Sequence, residues 1–289
     1  MTDQIPWNTP SQPDTEERDL TQVSEQIPTP EHSAPSQSMA LSLRYLVKEY
    51  RDKVAVDGIN LDVPRGSFFG LVGRNGAGKT TTLNMATGLL RPTAGTAHIG
   101  AINIWEDPIA AKKQVGVLPD GVRLFDKLTG EQLLYYAGML HGLDRQTVKE
   151  RSADLLNVLE MGDAGGRRVC DYSAGMTKKI GLGCALIHAP SLLILDEPFE
   201  AVDPVSASNI QDILRGYIQS GGTIVLSSHV MDLVGRLCDH VAVMNEGRIV
   251  ASGTLDDVCA GKTLEERFIE LVGGRVVSEG ISWLKSSSN

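Results

Sequence analysis

From residue 40 onward, short apolar runs alternate with stretches in which apolar positions recur every three to four residues. Residues 41–47, 54–57 and 58–63 carry the pattern of strands. Residues 67–72 form an almost uninterrupted apolar run, of the kind buried on both faces of a sheet. That run leads into a glycine-rich turn and then a helical pattern from about residue 79 to 90. Further strand-like runs lie at 114–118, 192–195 and 223–226, and amphipathic helical stretches at 131–141, 148–159, 176–187 and 206–218. Strands alternating with helices predict a layered α/β domain on a mostly parallel sheet. No internal repeat of about 20–50 residues is present.

Residues 1–39 break this pattern. Pro6, Pro10, Pro13, Pro28, Pro30 and Pro35 stand among Ser, Thr, Gln and acidic residues, so the segment reads as a disordered tail. Ile5 and Trp7 are read as incidental tail residues rather than a docking motif, and Met39, just before the first strand, marks an alternative start of translation. The tail also changes the charge picture. The 289-residue chain has a net charge of −9, but residues 1–40 hold seven acids and one base, which leaves residues 41–289 at only −3. This balance argues against a protein that holds nucleic acid through a basic surface. With 42% apolar residues the chain is not disordered as a whole. No run approaches the about 20 apolar residues of a membrane span, and the N-terminus lacks the layout of a secretory signal. Cys170, Cys184, Cys238 and Cys259 form no CxxC pair, so the expectation is reduced thiols in a cytoplasmic protein.

The glycine-rich turn carries the first chemistry. Gly73, Arg74, Asn75, Gly76, Ala77, Gly78, Lys79, Thr80 and Thr81 fit the phosphate-loop pattern G-x-x-x-x-G-K-[ST], between a buried strand and a helix as the pattern requires. Glycines let successive backbone N–H groups converge on phosphate oxygens, and the helix N-terminus adds partial positive charge. Lys79 is placed to reach the β- and γ-phosphates and Thr80 to ligate Mg²⁺. The second element is the run 191–198, where a buried strand ends in Asp196 and Glu197, 117 residues after Lys79. A carboxylate at the carboxyl edge of such a sheet can hold the Mg²⁺ shell, and its neighbour can act as general base towards water.

With these motifs, residues 40–272 resemble the ATP-binding cassette (ABC) ATPases. The diagnostic piece is Tyr172-Ser173-Ala174-Gly175-Met176, which begins 24 residues before Asp196 and is similar to the family's signature motif, apart from Ala174 in place of a glycine. The resemblance implies a phosphate-loop core with a mostly parallel sheet, an antiparallel β subdomain and a helical arm at about 121–187. The cassette would span 40–274, with residues 275–289 as a C-terminal tail. It implies that Ser173 and Gly175 contact the γ-phosphate held by an opposite subunit, that His229 is the switch histidine, and that Tyr50 stacks on adenine. Asp203 matches the aspartate of the loop through which two sites communicate, although Phe199 and Glu200 nearby are unexpected. Asp120 stands where the family has a Gln that contacts Mg²⁺ and couples the site to the membrane partner.

The function implied is an ATP- and Mg²⁺-dependent ATPase subunit of a transporter, an exporter with a separately encoded permease, with Glu197, His229 and Lys79 as catalytic residues. It would pair as a homodimer or a heterodimer and work at the cytoplasmic face of the membrane through an integral membrane permease. Leu133, Leu134, Tyr136 and Met139 are either core or an apolar surface towards that partner. The segment 265–274 is similar to the closing helix of export ATPases. Two rival readings stay open on the sequence: a soluble cassette ATPase acting on nucleic acid or ribosomes, and a regulatory subunit of weak activity, suggested by Asp120 and Ala174.

Overall fold

In the computed structural model the apolar run at 67–72 becomes β3 (Phe68–Val72), in the middle of a six-stranded sheet. On one side follow β8 (Thr223–Ser228), β7 (Leu192–Asp196) and β6 (Val115–Leu118); on the other, β9 (His240–Asn245) and β10 (Arg248–Thr254). β9, β3, β8, β7 and β6 are parallel, and β10 pairs antiparallel with β9. The structure describes residues 38–273; the expected tails, with Ile5 and Trp7, lie outside the described residues except for Ser38 and Met39, and Met39 opens β1 rather than closing the tail.

Both faces of this sheet are covered. Phe68, Val72, Leu193, Leu195, Ile224 and Leu226 enter one core, whereas Phe69, Leu71, Leu192, Ile194 and Val225 enter the other. Two apolar faces explain why these segments show no polar alternation. The second core is closed by an antiparallel sheet, in the order β2 (Lys53–Pro64), β1 (Met39–Tyr50), β4 (Ala94–Ile99), β5 (Ile102–Asn103). Leu41, Leu43, Leu46, Val56 and Ile59 of that sheet are buried in this core.

α1 (Lys79–Ala86) is shorter than the helix expected over 79–90. The Leu89 N–H donates to the Asn84 carbonyl and the Gly88 N–H to that of Met85, the bonding that ends a helix at a glycine. α3 (Gly130–Leu140), α4 (Arg145–Val158), α5 (Ala174–Leu186) and α6 (Pro204–Gln219) match their expected ranges within a few residues. Their starts are set by Thr129, Asp144, Ser173 and Asp203, whose side chains accept backbone N–H bonds from the first turn. α3 packs on α4 and α5. Leu133 and Leu134 are buried there, which removes them from any partner surface, while Tyr136 and Leu140 stay exposed.

α2 (Pro108–Gln114), capped by Asp107, was not signalled by periodicity, nor were α7 (Met231–Leu237) and α8 (Leu255–Cys259). α9 (Leu264–Leu271) begins one residue before the expected closing segment 265–274 and starts at a capping box formed by Thr263 and Glu266. Among the described residues no helix is long and apolar enough to cross a membrane, and all four cysteines are free.

Candidate functional site

Because β8 lies between β3 and β7, three segments distant in sequence leave the sheet side by side. Val72 pairs with Ser228, and Asp196 with Ser227. The glycine-rich loop, Glu197 and His229 therefore emerge together at the carboxyl edge, where open parallel sheets hold ligands. A cavity of about 430 Å³ opens there. Its floor is Asn75, Gly76, Gly78, Lys79, Thr80 and Thr81, and its walls are Asp120, Glu197, Glu200 and His229 with Tyr50, Lys53 and Ala55 from the β1–β2 hairpin.

Gly78 shows why the loop needs glycine. Its φ is +107°, and a Cβ there would stand 2.5 Å from the Ala55 carbonyl oxygen. The turn delivers Lys79 as the first residue of α1. The Lys79 side chain is buried, and its Nζ donates to the Gly73 carbonyl at 2.8 Å and lies 3.5 Å from Glu197 Oε1. His229 Nδ1 lies 3.1 Å from Glu197 Oε2. A carboxylate thus stands between an ammonium and an imidazole beside a space open to solvent, an arrangement that can take a proton from water.

The backbone around this carboxylate is equally constrained. Glu197 has φ +46°, in the left-handed region. Its N–H donates to Ser227 Oγ at 3.0 Å, and the Ser227 hydroxyl donates to Asp196 Oδ1. Its carbonyl accepts from Lys178 Nζ at 2.9 Å and from the Glu200 N–H at 3.2 Å.

The other expected residues are spread around this centre. Tyr50 is 46% exposed at the rim of the cavity, with Lys48 Nζ 5.3 Å from its ring centroid. Gly73 and Arg74 line a neighbouring cavity with Asn75, His229, Met231 and Phe268, Ala77 is buried in the second core, and Asp196 is buried against Ser227. Ser173 and Gly175 do not line the cavity; they start α5, where Ser173 Oγ accepts the Met176 N–H. A Cβ on Gly175 would stand 2.9 Å from Ser206 Oγ and 3.0 Å from Asp203 Oδ2. Asp203 caps α6, and the Ser206 backbone and side chain bonded to it hold its carboxyl below the usual carboxylate range.

Sequence reasoning missed Lys53, Ala55, Ser227 and Lys178. Ser227 was within reach, as the neighbour of Ser228-His229 at the end of a buried run. Lys178 was not, because a lysine in a helix ordinarily reads as solvated. Among the described residues no group of three or more His, Cys, Asp or Glu is arranged to hold a metal. Mg²⁺ bound with a nucleotide takes most of its ligands from water and phosphate, with one or two from protein. The Thr80 hydroxyl and the Asp196 and Asp120 carboxylates have the donor chemistry for that limited share.

The profile of a family described as ABC transporter matches residues 56–200. The linearmycin resistance ATP-binding protein of Bacillus subtilis (strain 168) is 34% identical over 76% of this chain and 71% of its own length. The daunorubicin/doxorubicin resistance ATP-binding protein of Streptomyces peucetius is 35% identical over 76% of this chain and 66% of its own. A solved ATP-binding subunit of an ABC transporter superposes with a TM-score of 0.75 at 30% identity, over 80% of this chain and 99% of that one.

Proposed function

The chain belongs to the ABC transporter family as one of its ATP-binding, ATP-hydrolysing subunits, and from that premise we propose that it powers export through a separate membrane permease. The observation that carries the reading is the meeting of Lys79, Glu197 and His229 in one cavity behind the phosphate loop. The resistance functions named in two relatives support the direction of transport.

In the proposed cycle, the loop from Gly73 to Thr81 cradles the phosphates, Tyr50 stacks on adenine, and Lys79 leaves Glu197 for the phosphate oxygens. Thr80, Asp196 and Asp120 hold Mg²⁺, which supplies charge neutralisation on the phosphates when bound. Glu197 takes the proton of the attacking water, and His229 orients it. Two cassettes, identical or related, close head to tail so that Ser173 and Gly175 of each complete the other's site. The exposure of Ser173 at the start of α5, away from the chain's own cavity, supports that trans role. Opening and closing of the pair is passed to the permease through the arm, where exposed Tyr136 and Leu140 and a cavity of about 630 Å³ between α3 and α4 offer a contact surface. The protein then works at the cytoplasmic face of the membrane. The cassette is taken as residues 40–274.

The test is purification of the full chain from detergent-solubilised membranes of its native cell, with ATP turnover measured beside Glu197→Gln. A co-purifying polytopic membrane protein and a turnover lost in Glu197→Gln are expected. Recovery of an active ATPase wholly in the soluble fraction, with no membrane partner, overturns the transporter assignment.

A further inference from the structure

Lys178 stands on α5 five residues after the Ser173 cap, with only 8% of its surface exposed. A buried ammonium needs oxygen acceptors. Its Nζ finds one in the backbone carbonyl of Glu197, at 2.9 Å. The next residue, Lys179, turns to a different element and lies 3.4 Å from Glu160 Oε2 at the end of α4. Lys178 does not line the nucleotide cavity.

The bond falls on a demanding piece of backbone. A residue with a Cβ holds a left-handed conformation such as that of Glu197 only when its surroundings impose it. Here Ser227 fixes the N–H of Glu197, while Lys178 and the Glu200 N–H fix its carbonyl. With both flanking peptide groups held, the side chain is aimed between Lys79 and His229. We propose that Lys178 is a positioning residue for the catalytic carboxylate, and that it links the start of α5 mechanically to Glu197. The start of α5 is itself pressed against α6 through Gly175, so a displacement of this helix reaches the general base along one and a half turns of helix. A cassette partner closing on Ser173 would therefore adjust Glu197 in the same chain. This inference rests on the reading of Glu197 as the base.

The experiment compares ATP hydrolysis by the full chain carrying Lys178→Met, Lys178→Arg or Lys178→Gln, alone and with Glu197→Gln. Lys178→Met removes the donor, and kcat is expected to fall by about 10- to 100-fold with KM for ATP within about threefold. Lys178→Arg restores a donor and most of the rate. Lys178→Gln stays polar but falls short of the carbonyl; it shows the same kcat–KM split and is the readable variant if Lys178→Met does not fold. In the Glu197→Gln background the Met change lowers the residual rate no further. An unchanged kcat, a rise in KM at constant kcat, or losses that multiply in the double variant each overturn the proposal. Wild-type turnover in Glu197→Gln alone would instead remove the assignment of the base itself, so the two failures are distinguishable.

Discussion

Nζ of Lys79 lies 3.5 Å from Oε1 of Glu197, so the phosphate-loop lysine and the candidate base form an ion pair across the cavity. In the proposed cycle nucleotide phosphate draws the lysine away, and doing so frees the carboxylate to act on water. Glu197→Gln removes the competing anion. Equilibrium binding should show ATP held roughly threefold to tenfold more tightly, and phosphate release should fall by about 100-fold or more. Size-exclusion chromatography of this variant with saturating ATP and Mg²⁺ should give a dimer; a monomer under those conditions sinks the head-to-tail mechanism.

Asp120 lines the same cavity as Thr80 and Glu197. An ionised carboxylate there adds charge and accepts hydrogen bonds, whereas a glutamine also donates. Asp120→Gln should shift the Mg²⁺ concentration for half-maximal turnover while ATP binding is retained. A superimposable Mg²⁺ titration would remove Asp120 from the metal's surroundings.

Gly175 has a role within its own chain, apart from any contact with a partner. A methyl at this position meets Ser206 Oγ and Asp203 Oδ2 at 2.9 and 3.0 Å and crowds the cap of α6. Gly175→Ala should cost about 1–2 kcal/mol in urea unfolding without nucleotide. Equal stability of the two proteins would leave only the trans role for this glycine.

His141 and His188 stack with centroids 3.6 Å apart and planes 3° from parallel. Burial, then the neighbouring His141 and Arg151, push the His188 imidazole down to about 4, and burial also lowers His141. His188 Nε2 lies 3.2 Å from the Val115 carbonyl, a contact the neutral ring makes as a donor. The unfolded chain protonates His188 near 6.5, before the folded chain does, so its contribution to stability is complete above that pH and is lost as pH falls towards 4. Because the ring is only part-buried, the loss is on the order of 2 kcal/mol. Urea midpoints at pH 7 and pH 5 should converge for His188→Phe relative to wild type. An equal drop in both proteins would place the acid sensitivity elsewhere.

Much of this architecture was legible in the chain because its central strands carry an extreme pattern. Phe68–Val72 and Leu192–Asp196 are buried on both faces, which leaves an unbroken apolar signature directly before the loop and the paired acids. Elements on one face of a sheet gave less to read. β4, with the sequence AGTAHI, is recognisable by its pairing with β1 rather than by its own composition. α2 spans seven residues, too few for a helical period to establish itself. Within the site, Lys79 and Glu197 were found through spacing, whereas Lys178 was hidden because its importance lies in a contact with a carbonyl 19 residues away.

The strand order also imposes a timetable on synthesis. β8 separates β3 from β7, so until residue 228 has left the ribosome the phosphate loop and the acidic pair have no strand to bring them into register. A nascent chain stopped before Thr223 holds every residue of the loop and both acids, yet lacks the strand that joins them. Competence to bind nucleotide at this site therefore reports that β8 has joined the central sheet, and it arrives late in translation, after the whole arm is already made.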